Sequence, residues 1–217
     1  FAGYVAKKMG LPIEKLIVAT NTNDILERVI NTGEYKPSKV KPSLSPSMDV
    51  QISSNFERLL FYVFNEDDQK VSSIMNELKS KGSFSLNKEQ IDIIKKDFNA
   101  KRTNDEETLE IIKKFSKDHN FILDPHTATA VGASKVIEDG SEILILGTAH
   151  PYKFLETIKM ATSQEVETPK QIAHLIDKKE RYDILENKIT DIKNYVLGKL
   201  SWKLSPAKNY HKMIFFI

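Results

Sequence analysis

Apolar positions along the chain follow two rhythms, and their alternation predicts the elements. KLIVAT (residues 15–20) and ILIL (143–146) are short, continuous aliphatic runs of strand length, with no polar alternation. Elsewhere apolar residues recur at helical spacing: Ile25, Leu26, Val29 and Ile30 in DILERVI, then FERLLFYVF after Ser53-Ser54-Asn55. Further stripes are Val71, Ile74, Met75 and Leu78; Ile91, Ile94 and Phe98; and Leu109, Ile112 and Phe115. A helix over residues 1–9, a stop at Gly10 and Pro12, a strand and another helix make up half of an α/β unit. A strand apolar on both faces is covered on both, so an open, mostly parallel sheet flanked by helices is expected.

Punctuation refines the boundaries. Asn21 or Thr22 is placed to cap DILERVI, which Gly33 stops, and Ser53 to Asn55 to cap FERLLFYVF. Asn87 with Gln90, and Thr103 with Glu106, have the spacing of reciprocal capping pairs. Residues 31–47 carry three prolines without an apolar period and read as a loop. The chain then divides into an α/β portion over 1–66, a charged helical insertion over 67–120, and a second α/β portion over 121–199. In the last portion, helices are expected at 153–160, at QIAHLIDKK after Thr168-Pro169, and at 182–200. His174, flanked by apolar residues, reads as a packing residue. The tail, 200–217, has no period that assigns it a fold.

Composition narrows the function classes. Among 217 residues, 32 basic and 30 acidic side chains leave a net charge of +2, with no surplus field for nucleic acid or an acidic membrane surface. No cysteine is present, and five scattered histidines suggest no metal cage. No apolar run approaches the roughly 18 residues that span a bilayer, and the start has no secretory pattern, so a cytoplasmic protein is expected. The chain opens on Phe1 in what reads as mid-helix, without a cap, as a sequence cut at the front would.

Candidate chemistry gathers where elements end. ILILGTAHPYKF (143–154) runs from a strand into a glycine, Thr148, His150 and Pro151, and ligands of open α/β sheets collect beyond the carboxyl ends of strands. The same residues suit an ordinary strand-to-helix turn, with Gly147 at a positive backbone angle and Pro151 starting a helix. FILDPHTATAVGAS (121–134) places Asp124, His126 and Thr127 at the head of a small-residue helix able to pack closely. Ser54, Asn55 and the preceding serine sit where free backbone N–H groups could seat an anion, or could simply be capped. Arg58 suits a phosphate fork or a salt bridge with a nearby carboxylate.

These two stretches, with LSPSMDVQISSNFERLLFY (44–62) and AGYVAKKMGLPIEKLIVATNTNDIL (2–26), resemble the threonine synthases, in the family's order over four separate blocks. The resemblance implies the C-terminal portion of a tryptophan synthase β-like pyridoxal-phosphate fold, incomplete at the N-terminus. It implies a pyridoxal-phosphate-dependent carbon–oxygen lyase acting on phosphates, which converts O-phosphohomoserine and water to threonine and phosphate. Thr148, in GTAHP, matches the hydroxyl residue that hydrogen-bonds the pyridine nitrogen of the cofactor. Ser54, Asn55, Arg58, Asp124, His126, Thr127 and His150 match motifs near the active site and are candidates for shaping it or meeting substrate phosphate. The family's Schiff-base lysine motif is absent, so no catalytic residue is assigned; FSKD (115–118) has its letters in scrambled order, with Lys117 late in a helix. The glycine-rich phosphate loop is absent too. Activity would then need a separate chain supplying the N-terminal half. The alternatives are a non-catalytic α/β ligand-binding or interaction module, and the remnant of a broken gene.

Overall fold

The computed structural model describes residues 1–137 and 140–203. Helix α1 (Ala2–Lys8) leads into strand β1 (Leu16–Thr20), helix α2 (Ile25–Thr32) and a two-residue strand β2 (Glu34–Tyr35). A long connection, with one 3₁₀ turn at Pro46–Met48, precedes α3 (Ser54–Val63) and α4 (Asp68–Lys81). Then come β3 (Phe84–Ser85), α5 (Lys88–Asp97), β4 (Phe98–Arg102), α6 (Asp105–His119) and α7 (Pro125–Ser134). A second 3₁₀ turn, Pro151–Phe154, enters α8 (Leu155–Thr162), and α9 (Lys170–Ala173) and α10 (Ile189–Lys203) follow. No helix among the described residues is long and apolar enough to cross a membrane.

The expected parallel, helix-flanked arrangement is present in small form. Strands β1 and β4 run parallel, from Leu16 opposite Phe98 to Thr20 opposite Arg102, with α2 and α7 packed against both. Parallel neighbours need a long crossover, and everything from α2 to α5 lies in it. The charged stretch 67–120 is therefore not helical throughout, because its FNAKR segment supplies the second strand of the parallel pair. Phe98, placed by spacing on a helical stripe, instead opens that strand and buries its ring beside Tyr4, with centroids 5.6 Å apart. Lys15 ties the head of β1 to the end of α5 by donating to the carbonyls of Lys95 and Lys96 at 2.9 Å, which satisfies two orphan acceptors at a helix C-terminus.

The stretch 143–146 is where sequence and structure part. It forms no strand, and Leu144 and Leu146 stand 86% and 68% exposed. A strand exists by exchanging backbone hydrogen bonds with a neighbour, and among the described residues none lies alongside. Gly147 is not among the glycines with a left-handed φ. Caps also moved. Helix α2 begins at Ile25 with no side-chain cap: its N-cap position falls on Asp24, whose carboxylate pairs with Arg28, while the Asn21 amide bonds Ser43, Ser45 and Asp49. The pair expected at Thr103 and Glu106 is formed one residue on, by Asn104 and Glu107, while the Thr103 hydroxyl is buried and donates to the Thr129 carbonyl at 3.1 Å. The boxes at Asn87 with Gln90 and the cap at Ser53 form as expected.

Two apolar clusters hold the first compact unit, Phe1–Pro169. The larger is centred on Tyr35, whose ring is stacked between Phe56 (5.4 Å) and Phe84 (4.8 Å). The Tyr35 hydroxyl accepts from the Ser53 N–H at 2.9 Å, the residue that caps α3. The smaller, around Ile112, Leu123, Ala128 and Ile158, joins α6, α7 and α8. Residues from Lys170 on form a second unit. There α9 covers only three residues of the expected QIAHLIDKK helix, His174 is exposed and not a packing residue, and α10 starts at Ile189 and not near 182. Its apolar stripe is solvated, with Ile189 86% exposed. The tail beyond residue 203 lies outside the described residues.

Two substitutions test this packing. A Cβ on Gly132 would lie 2.3 Å from Thr103 Oγ1 and 2.6 Å from its Cγ2, and Thr103 is buried, so Gly132→Ala should cost about 1–3 kcal/mol in urea unfolding. A neutral effect would mean that α7 can lift off the sheet freely. Tyr35→Phe should cost a similar ~1–3 kcal/mol, because the Ser53 N–H loses its acceptor. Burial, foremost, raises the Tyr35 phenol above its ordinary range. A raised acid pKa gives stability that is complete below the unfolded value, about 10, and is lost as the pH climbs through the folded one. The stability gap between the parent and Tyr35→Phe should therefore shrink above about pH 10, and a gap that stays constant there would contradict it.

Candidate functional site

The head of α7 is built from a cap and a proline. Asp124 has extended backbone, Pro125 takes the first helical position, and the Asp124 carboxylate turns back to accept from the His126 N–H (2.9 Å) and Thr127 N–H (3.2 Å). Its second oxygen accepts a short hydrogen bond from the Thr127 hydroxyl. All three side chains are buried, Asp124 at 2% exposure. A carboxylate so enclosed is tolerable because both oxygens are hydrogen-bonded.

Two further segments converge on this cap. The Ser47 N–H, in the 3₁₀ turn of the long connection, donates to His126 Nε2 at 3.2 Å, and His126 Nδ1 lies 3.3 Å from Asp124 Oδ1. That contact is not aligned as a full hydrogen bond, and Nδ1 has no better partner among the described residues. Since Nε2 accepts, the neutral ring carries its proton on Nδ1, facing the carboxylate. The Phe154 ring closes the other side, 4.9 Å from the imidazole. From the stretch after 146, the Thr148 N–H donates to Thr127 Oγ1 at 3.2 Å. The Thr148 side chain itself is exposed.

The structure thus brings Asp124, His126, Thr127 and Thr148 together. His150 is next to them in sequence, but its Nδ1 accepts from the Tyr152 N–H at 3.1 Å and so caps the 3₁₀ turn locally. Ser54, Asn55 and Arg58 form a separate exposed group on the first turns of α3, around a shallow hollow that Ser54 and Arg58 share with Glu57, Phe61 and Val71. Arg58 donates to Asn55 Oδ1 at 3.4 Å, and the ion pairs among the described residues do not include it. No group of three or more His, Asp or Glu side chains among the described residues could hold a metal ion.

A second layer, not singled out from the sequence, fixes the Ser47 turn. Asn21, just past β1, donates to Ser43 Oγ (2.7 Å), Ser45 Oγ (3.0 Å) and Asp49 Oδ1 (2.7 Å). Asn23 donates to the Lys41 carbonyl (2.8 Å) and Asp49 Oδ1 (2.9 Å), and accepts from the Lys41 N–H. Asp49 also accepts from the Ser43 N–H (3.0 Å) and hydroxyl (2.6 Å). The one available signal was the pair of asparagines directly after an apolar strand, a position equally suited to a helix cap.

The family profile "Threonine synthase, C-terminal" matches residues 127–196. Over 90% of its length the chain is 38% identical to the threonine synthase of Pseudomonas aeruginosa, and over 75% it is 47% identical to that of Saccharomyces cerevisiae. It covers only 42% and 35% of those two proteins. Its backbone matches a pyridoxal-phosphate-bound threonine synthase from Brucella melitensis with a TM-score of 0.83 at 41% identity, over 90% of this chain and 42% of that one. The yeast threonine synthase structure matches with a TM-score of 0.80 at 39% identity, over 93% and 45%.

The Asn21–Asp49 layer makes its own prediction. Asp49→Ala strips an acceptor from Asn21, Asn23 and Ser43 at once, and should cost about 1–3 kcal/mol in urea unfolding. A change under about 0.5 kcal/mol would mean that water replaces the carboxylate and that the turn is not held by it.

Proposed function

Because the chain is related along most of its length to the C-terminal portion of the threonine synthases, we propose that it builds one side of a pyridoxal-phosphate site acting on O-phosphohomoserine. The reaction would convert that substrate and water to threonine and phosphate, in the cytoplasm. Pyridoxal phosphate, when bound, supplies the electron sink for proton removal and loss of phosphate from the substrate. This chain's residues supply position and electrostatics.

The observation that carries the reading is Thr148. Its backbone is pinned to the Thr127 hydroxyl, its side chain is exposed, and no hydrogen bond among the described residues engages its own hydroxyl. A fixed backbone with a free hydroxyl fits an uncharged acceptor such as the pyridine nitrogen of the cofactor. Being neutral, it donates one hydrogen bond without stabilising a protonated ring as a carboxylate would. Ser54, Asn55 and Arg58 fit a different task. All three are exposed on the first turns of α3, and among the described residues the guanidinium meets only Asn55, a set able to meet the substrate's phosphate.

The Schiff-base lysine does not come from this stretch. Lys117, the nearest approach to the family's motif, lies in the last turn of α6. We therefore assign the lysine and the phosphate loop to polypeptide beyond these 217 residues, on the same or a separate chain. Mixed with pyridoxal phosphate and gel-filtered, the 217-residue chain should retain no borohydride-fixed cofactor at a single lysine. A stoichiometric adduct at one position would overturn that assignment.

When the missing portion is supplied and turnover appears, Thr148→Val should lower kcat by about 5- to 150-fold, the range expected when one buried polar partner is left unpaired in the transition state. Valine keeps the branch and removes the hydroxyl. An unchanged kcat, with the cofactor bound, would remove Thr148 from the site.

A further inference from the structure

We propose that Thr127 and His126 are positioning residues that clamp Thr148 and the Ser47 turn to the head of α7, with Asp124 hydrogen-bonded to the Thr127 hydroxyl and lying beside the His126 ring. The proposal rests on the reading of Thr148 as the ring-nitrogen partner for its functional meaning, though not for its geometry. The three segments lie far apart in the chain: Ser47 is 79 residues from His126, and Thr148 is 21 from Thr127. Neither outer segment is held by regular secondary structure that would position it alone, since one is a single 3₁₀ turn and the other has none.

The argument is one of donor and acceptor parity. An ionised carboxylate can only accept, so a hydroxyl beside it must spend its proton there. Thr127 does so, and its oxygen is left with lone pairs for the Thr148 N–H. The imidazole beside the same carboxylate accepts through Nε2, which leaves its N–H on Nδ1, the side of the acid. His126 Nδ1 faces Asp124 Oδ1, and Nε2 is left bare for the Ser47 N–H. The buried acid therefore leaves the Thr127 oxygen as an acceptor and lies beside a ring that accepts through Nε2, and the two acceptors meet backbone amides on different segments. The Phe154 ring against the imidazole keeps that aim fixed from the other side. Capping α7 would need only the contacts from Asp124 to the two backbone amides, so the side chains of His126 and Thr127 are surplus to the cap.

Residue-resolved amide exchange on the 217-residue chain tests this. In Thr127→Val the Thr148 amide should exchange roughly five- to tenfold faster, the effect of losing one hydrogen bond, while the Ser47 amide keeps its rate. In His126→Phe, which preserves an aromatic ring beside Phe154, the pattern should reverse. Thr127→Ser restores the oxygen and should restore protection at Thr148. Amides within β1, such as Val18, report whether the fold as a whole is intact. Equal acceleration of Ser47, Thr148 and Val18 in Thr127→Val would show a general loosening and overturn the clamp, as would failure of serine to rescue. Should valine or phenylalanine prevent folding, the parent chain still decides, because Ser47 and Thr148 amides exchanging at random-coil rates would refute it. None of these readouts involves cofactor, so an unchanged kcat of Thr148→Val in the completed enzyme would refute the role of Thr148 and leave the clamp standing.

Discussion

The close approach of α7 to the parallel pair is the contact on which the rest of the arrangement depends. Gly132 faces the Thr103 side chain at a distance no Cβ could share, and Thr129 gives its carbonyl to the Thr103 hydroxyl. Small residues along ATAVGAS let the helix axis come this near. With α7 seated, its head meets the Ser47 turn, which Asn21 anchors from just past the end of β1. Asp124, His126 and Thr127 then lie within reach of the long connection on one side and of Thr148 on the other. A helix held one side chain further out would leave each of those hydrogen bonds too long to form.

Polar groups do here what apolar packing does around Tyr35. The connection between β2 and α3 contains no apolar period, so burial cannot order it. It is ordered instead by a dense set of hydrogen bonds around Asp49, with Asn21 and Asn23 reaching from the end of β1. Such a network is a precise but brittle device, since each buried donor is costly once its acceptor is gone. The apolar cluster behaves differently. Tyr35 lies between two rings and its hydroxyl accepts from the Ser53 N–H at the start of α3, so one side chain couples core packing to the helix that carries Ser54, Asn55 and Arg58.

The comparisons bear on what this surface is for. Threonine synthases match the chain over most of its length, and the chain spans only about two fifths of theirs (42% in the Pseudomonas relative). The exposed aliphatics of 143–146 and the two-stranded parallel pair are features of this stretch taken by itself. Where the site residues are concerned, the structure separates two groups that the sequence had left together. Asp124, His126 and Thr127 are buried and interlocked, while the α3 group is exposed and, among the described residues, its hydrogen bond runs within the group.

What the sequence determined by itself is whatever depends on near neighbours. Periodicity located most of the helices, the reciprocal cap at Asn87, the left-handed stop at Gly33 and the aspartate–proline head of α7, because spacing and local hydrogen bonds suffice for these. The four blocks that resemble the threonine synthases were equally legible, being order and identity alone. Tertiary structure decided what depends on partners far along the chain. FNAKR reads as a charged helix end and becomes a strand because LIVAT lies beside it, while ILIL reads as a strand and forms none among the described residues, where nothing pairs with it. Asn21 looks like a helix cap and instead anchors a loop 22 to 28 residues away. Hydrogen-bond partners of that separation leave no period in the sequence. They are chosen only once helix α7 and strand β1 have met, and that meeting brings Ser47, His126, Thr127 and Thr148 together.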